Sequence, residues 1–212
     1  FSEHHGFWNK ARFRSLYLGL LLIALSLVVQ IGAGRFSSRN AASSSFAGDL
    51  FLDNLPVFNL DFVIVQIALI FWTFAMVLML FRPRYLLFGI KALALFVVFR
   101  AFFISLTHIG IYPTQSFEEA GGIGSGLYNI LTFKGNFFFS GHTGFPFLMA
   151  LIFWNSVPLR RLFLLATPFF AATVLLAHVH YSIDVFAAPF ITYGIFRITA
   201  AVFPKDYALI AT

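Results

Sequence analysis

The chain has 212 residues, 60% of them hydrophobic and only 10% charged, with a formal net charge of +6. A soluble domain carries about 25% charged residues, so this composition excludes a water-facing globule. The cations fall between apolar runs instead of forming a basic patch, which argues against nucleic acid as a partner. The absence of cysteine removes disulfides and thiol chemistry.

A membrane-spanning helix needs about 20 mostly apolar residues. In chain order the expected spans are residues 16–33, 60–81, 86–111, 145–157, 162–179 and 183–203. The first run lacks a small-x-small cleavage site and is therefore expected to be retained, not removed as a signal. The fourth is short and needs about one extra turn from residues 137–144. Hydrocarbon has no partners for free backbone groups, so every span should be helical. The expected fold is all-α and integral to the membrane: one domain over residues 1–212, a bundle of six transmembrane helices.

The connections alternate in charge. Lys10, Arg12, Arg14, Arg82, Arg84, Arg160, Arg161 and Lys205 fall on one side, against Arg35, Arg39 and Lys134 on the other. The second set of loops holds most of the acids, including Asp49, Asp53, Asp61 and Asp184. The positive-inside rule then predicts cytoplasmic termini and outward-facing loops over roughly 34–59 and 112–136. Lys91 and Arg197 are expected near the cytoplasmic ends, with snorkelling side chains.

Two segments on the predicted outer side carry chemistry. In "FFFSGHTGF", His142 follows Ser140 and Gly141 at the expected start of the fourth span. Free N–H groups at a helix start favour an anion, and glycine allows a phosphate close to the backbone. Ser140 also suits a simple N-cap. In "LLAHVHYSIDVFAA", His180 and Asp184 are four apart. On a helix they share a side, and the carboxylate can fix the imidazole tautomer, leaving the other nitrogen as a nucleophile. Two histidines and an aspartate suit a two-step phosphoryl transfer, one ring attacking phosphorus and the other protonating the departing oxygen.

Each residue also has a plainer reading, as an interfacial anchor or a buried, satisfied pair. Gathered near one membrane face, such costly groups mark a functional site by default. Metal binding by His142, His178, His180 and Asp184 ranks below metal-free catalysis, because His178 and His180 would point to different sides of a regular helix. No cofactor is expected. Arg100, inside the third span, is placed about 16 Å of helix below Ile111, where it suits a phosphate or an active-site carboxylate; a structural ion pair is the alternative. His108 lies on roughly the same side. The glycines of "GGIGSG", 121–126, read as a linker, and the following residues as a short interfacial helix.

The segments "GNFFFSGHTG" and "LLAHVHYSID" resemble the two signature segments of the sphingomyelin synthase family, a branch of the type 2 phosphatidic acid phosphatase (PAP2) superfamily. "DLFLDNLP" and "RAFFISLT" are weaker echoes. The resemblance implies that His180 is the nucleophile carrying the phospho-headgroup, that Asp184 orients it and that His142 is the acid–base partner. Ser140, Gly141, Arg100, Asn136, Tyr181 and His178 would line the substrate site. It implies transfer of phosphocholine or phosphoethanolamine from a glycerophospholipid to ceramide, without metal and on the extracytoplasmic face. Phospholipid and ceramide or diacylglycerol are the implied substrates, the bilayer is the setting, and an oligomer is compatible with it.

Some positions differ from the family pattern. Asn136 stands where the family has Asp, and Val179 where Glu is common. The phosphatases of the superfamily carry Lys-x6-Arg-Pro; here Ala75 occupies the lysine position before Arg82–Pro83, and Val174 stands where they place an arginine before the nucleophilic histidine. A lipid-phosphate phosphatase is therefore the second expectation. A proton-coupled transporter is the third, disfavoured because the ionisable groups gather at one face and no inverted repeat is evident.

Overall fold

The computed structural model describes residues 4, 6–41, 43–107, 109–116 and 138–211. Among these the secondary structure is helical throughout. The helices are α1 (Lys10–Ala41), α2 (Ala68–Phe81), α3 (Pro83–Leu106), α4 (Gly141–Ile152), α5 (Val157–Leu176), α6 (Ser182–Val202) and the short α7 (Pro204–Tyr207). A π turn, Val63–Ile67, runs directly into α2. With it, α2 becomes one of five helices long and apolar enough to cross a membrane, and α4 is a shorter apolar helix. This is the expected membrane bundle.

The helix ends correct several expectations. α1 runs to Ala41 instead of stopping near residue 33, so Arg35 and Arg39 sit on its last turns and not in a loop. α3 ends at Leu106, not residue 111. Arg100 is therefore six residues from the helix end, about 9 Å at 1.5 Å per residue. α4 begins at Gly141, within the extra turn expected from residues 137–144, but ends at Ile152, several residues earlier than expected. The Ser140 hydroxyl sets its start by accepting the Thr143 N–H at 3.4 Å. α5 stops at Leu176, so His178 lies off the helix, with φ of 54°.

Helix α4 is the centre of the bundle. Almost all its side chains are buried, as expected for a helix apolar all round. It packs against α5 and α6, while α1 lies chiefly along α3. The core is largely aromatic: Phe153 stacks with Phe163 at 5.6 Å and with Tyr85 at 4.6 Å between centroids. At only 12 residues, α4 is about 18 Å long, well short of a hydrocarbon core of about 30 Å.

At the end of the bundle holding the start of α1, Lys91 does not snorkel. It is 1% exposed and bonds to Asp206 and to the Ser15 hydroxyl. Ser15 also donates to Asp206 at 2.8 Å. A buried cation must be paired, and this cluster ties α1, α3 and α7 together. Arg197, by contrast, is exposed as expected.

The loops at the opposite end interlock. The Phe58 N–H donates to Leu176 O at 2.9 Å, the Gly110 N–H to Ser45 O at 3.0 Å, and the Ser116 N–H to Ala177 O at 3.2 Å. Gly110 is required where it stands: a Cβ there would lie 2.3 Å from the Ser44 carbonyl oxygen.

Candidate active site

The two histidine segments meet at the N-terminal ends of α4 and α6. Their backbones are joined directly, the Ser140 N–H donating to the Asp184 carbonyl at 3.0 Å. The N-cap of one helix is thereby locked to the first turn of the other. His142, in the first turn of α4, and His180, just before α6, face each other with ring centroids 6.3 Å apart and planes at 63°. Both rings are buried, as are Ser140 and Asp184.

The His180–Asp184 pair forms differently from the expected helix face. His180 precedes the N-cap residue Tyr181 and is not itself helical. Asp184 sits in the first turn, and its Oδ2 accepts the Tyr181 N–H at 3.0 Å. That bond fixes the carboxylate, and the same Oδ2 lies 3.5 Å from His180 Nδ1. A proton on Nδ1 leaves the ring's lone pair on Nε2.

His142 is oriented by an irregular backbone. In the π turn before α2, the Ala68 N–H reaches back to Val63 O, five residues away, and to Val65 O, but not to Ile64 O. The Ile64 carbonyl lies 3.0 Å from His142 Nε2 and accepts its proton. Such π turns recur at functional sites. Trp72 covers the ring, with centroids 5.3 Å apart.

Arg100 joins this group. Its Nε–H donates to Phe139 O at 3.0 Å, and its guanidinium fills the space beside Gly141, where a Cβ would come within 3.4 Å of Nε. Arg100, Gly141 and His142 line one side of a cavity of about 340 Å³ that also reaches Gln30 and Trp72, with Leu27, Met76 and Phe96 in its apolar wall. Sequence reasoning missed Gln30 and Trp72. A glutamine inside an apolar span was the available signal.

Other expected site residues are placed differently. His178 is turned away, its Nδ1 2.6 Å from the Thr114 hydroxyl and its ring 5.5 Å from that of Tyr112. Burial holds its pKa below the ordinary histidine value. The Tyr181 hydroxyl donates to Gly110 O at 2.8 Å and accepts the Ala47 N–H at 3.3 Å, so it braces the loops at this end of the bundle. Asn136, His108, the 121–126 glycines and most of the expected interfacial helix lie outside the described residues. Among the described residues no group of three or more His, Asp or Glu is arranged to hold a metal ion.

The loops at this end of the bundle carry two acids that composition alone does not single out. Asp49 accepts from the Ser182 N–H at 2.6 Å, the Phe51 N–H at 2.9 Å and the Leu52 N–H at 3.1 Å. Burial alone would raise its pKa, but these donors outweigh it and hold the carboxyl below the ordinary value of 3.8. Asp53 accepts from the Tyr112 hydroxyl, and this bond is the main reason that the phenol is pushed up to about 12.

Chemically, the arrangement sets two imidazoles face to face, one beside a carboxylate, and His142 shares its cavity with the Arg100 guanidinium. Residues 135–201 match the family model described as PAP2 superfamily C-terminal. The matched stretch contains both histidine segments and supports the PAP2 superfamily, whose chemistry is phosphatase or phosphotransferase action on lipid phosphate esters. No curated protein and no solved structure matches the chain.

Proposed function

We propose that this protein is a membrane-embedded lipid phospho-headgroup transferase of the sphingomyelin synthase type. It moves phosphocholine or phosphoethanolamine from a glycerophospholipid to ceramide, or to water in the manner of a phospholipase C. The observation that carries the proposal is the pairing of His142 and His180 at 6.3 Å with Asp184 behind His180. The match over residues 135–201 supports phosphoryl chemistry on a lipid ester.

His180 Nε2 attacks phosphorus with its lone pair while Asp184 stabilises the Nδ1 proton. The bond from phosphorus to the glyceride oxygen breaks, and the electron pair leaves on that oxygen. His142 protonates it, releasing diacylglycerol and leaving His180 as a phosphohistidine that carries the headgroup through its one remaining ester bond. With Nε2–H given to Ile64, the proton moved by His142 is the one on Nδ1. In the second half the acceptor hydroxyl returns its proton to His142 and attacks phosphorus. The nitrogen–phosphorus bond breaks, and its electron pair returns to His180 Nε2. Arg100 faces the phosphate from the cavity wall. Ser140 and Gly141 shape the start of α4, and Asn136 is carried over from the family segment as a headgroup contact.

The orientation follows from the charge count: both termini cytoplasmic, with the histidine pair toward the extracytoplasmic side. The test is mass spectrometry of products from purified protein given phosphatidylcholine, phosphatidylethanolamine and phosphatidic acid, with and without ceramide. Diacylglycerol together with a ceramide phosphodiester is the expected result. Inorganic phosphate released from phosphatidic acid alone would replace this reading with a phosphatase.

A further inference from the structure

We infer that Gln30 and Trp72 form a hydrogen-bonding subsite for the hydroxyl of a lipid alcohol, held beside His142 in the cavity between α1, α2, α3 and α4. The inference rests on the proposed transfer reading, in which such an alcohol leaves as diacylglycerol or arrives as the acceptor.

Gln30 stands deep within α1, in a run of apolar residues where the nearby Ser26 bonds back to Ile23 O at 2.8 Å. Gln30 is only 5% exposed, yet its Oε1 is buried without a donor among the described residues. Trp72 Nε1–H is likewise buried without an acceptor. A single unmade hydrogen bond in so apolar a setting is costly. Here an acceptor and a donor are both left open, on different helices, in the wall of the same cavity.

The pair's chemistry selects its ligand. Gln30 Oε1 needs a donor, and Trp72 Nε1–H needs an acceptor. One hydroxyl supplies both. A phosphodiester supplies acceptors only, so it would satisfy Trp72 and leave Gln30 Oε1 unpaired. The subsite therefore favours the free alcohol over the esterified lipid. His142 and Arg100 line the same space, which sets the alcohol oxygen beside the proposed proton carrier and phosphate contact. The remaining wall, with Ile23, Leu27, Met76 and Leu93, is apolar and suits the start of an acyl chain.

The test is equilibrium binding to the full chain in nanodiscs, comparing dioctanoylglycerol with its methyl ether, which keeps the oxygen but has no O–H. The wild-type chain should bind the alcohol about tenfold more tightly, the scale of one well-made hydrogen bond. Gln30→Leu should bring the two affinities together, and Trp72→Phe should weaken both ligands. Gln30→Met serves as a second variant if the leucine chain does not fold. Equal wild-type affinities, or a preference that survives loss of the Gln30 amide, would overturn the subsite. Because binding needs no turnover, a chain that makes no phosphodiester refutes the transfer reading without touching this result.

Discussion

Asp49 is the clearest handle on how the loops beside the histidine site hold it. Its carboxylate accepts three backbone N–H groups, two in its own loop and one from Ser182. Ser182 is two residues after His180 and begins α6. In Asp49→Ala, all three donors lose their acceptor. Hydrogen bonds to a charged group are worth about 1.5–3 kcal/mol each. The Phe51 side is exposed and open to water, whereas Leu52 is buried. Counting mainly the Ser182 and Leu52 bonds gives a loss of about 3–5 kcal/mol. For a chain of this length, 1 kcal/mol is roughly 2–4 °C in Tm, so Asp49→Ala should melt about 6–20 °C lower in detergent. Asp49→Asn keeps an oxygen acceptor but no charge and should fall in between. The pH limb tests the same logic. The folded carboxyl titrates below its unfolded value of 3.8. Its contribution is therefore complete above that value and is lost as pH falls through the lower, folded pKa. Wild type should lose stability on this acid limb, while Asp49→Asn should lose less. An alanine variant melting within about 1 °C of wild type, a shift worth less than 1 kcal/mol, would refute the reasoning.

His180→Ala, which removes the proposed nucleophile, should abolish lipid turnover. His142→Ala should instead lower it about 10²–10⁴-fold, with phosphohistidine forming correspondingly more slowly, as read by intact-mass analysis over time after substrate addition. Lys91→Met breaks a buried ion pair and should cost about 3–5 kcal/mol by thermal unfolding; Lys91→Met with Asp206→Leu should recover part of the loss. Gly110→Ala would drive a Cβ to 2.3 Å from the Ser44 carbonyl oxygen and should destabilise by about 1–3 kcal/mol. Gly141→Ala meets the Arg100 Nε at a tolerable 3.4 Å and should leave Tm nearly unchanged.

The bundle was legible in the sequence because hydrocarbon leaves an apolar run few options. The His142, His180 and Asp184 trio was legible because ionisable groups are rare in such a chain. The boundaries were less so. α1 continues through Gly32, Gly34, Arg35 and Arg39 because glycine weakens a helix without ending it and the stretch holds no proline. The local form of the His180–Asp184 pair was hidden as well, since a spacing of four suits both a helix face and a residue just before an N-cap. Lys91 looked like a snorkelling cation because its partner, Asp206, is 115 residues away. Ile64 could not be read as a partner of His142, because its role depends on the hydrogen-bond pattern of a π turn and not on its side chain.

Asp184 shows why fold and chemistry must be separated by the choice of substitution. Its Oδ2 both accepts the Tyr181 N–H at 3.0 Å and lies 3.5 Å from His180 Nδ1, whereas Oδ1 is buried with no donor among the described residues. Alanine would remove the cap and the charge together, and a lost cap alone costs about 1 kcal/mol. Asparagine differs. The Tyr181 N–H demands an acceptor, so the amide oxygen must take the Oδ2 place and the amide nitrogen the Oδ1 place. The cap then survives and only the negative charge beside His180 is gone. Asp184→Asn should therefore melt close to wild type while turnover falls about 10²–10⁴-fold. Arrest with an unchanged Tm would assign Asp184 to orienting His180. A matched fall in Tm and activity, or full activity without the charge, would reduce it to a helix cap.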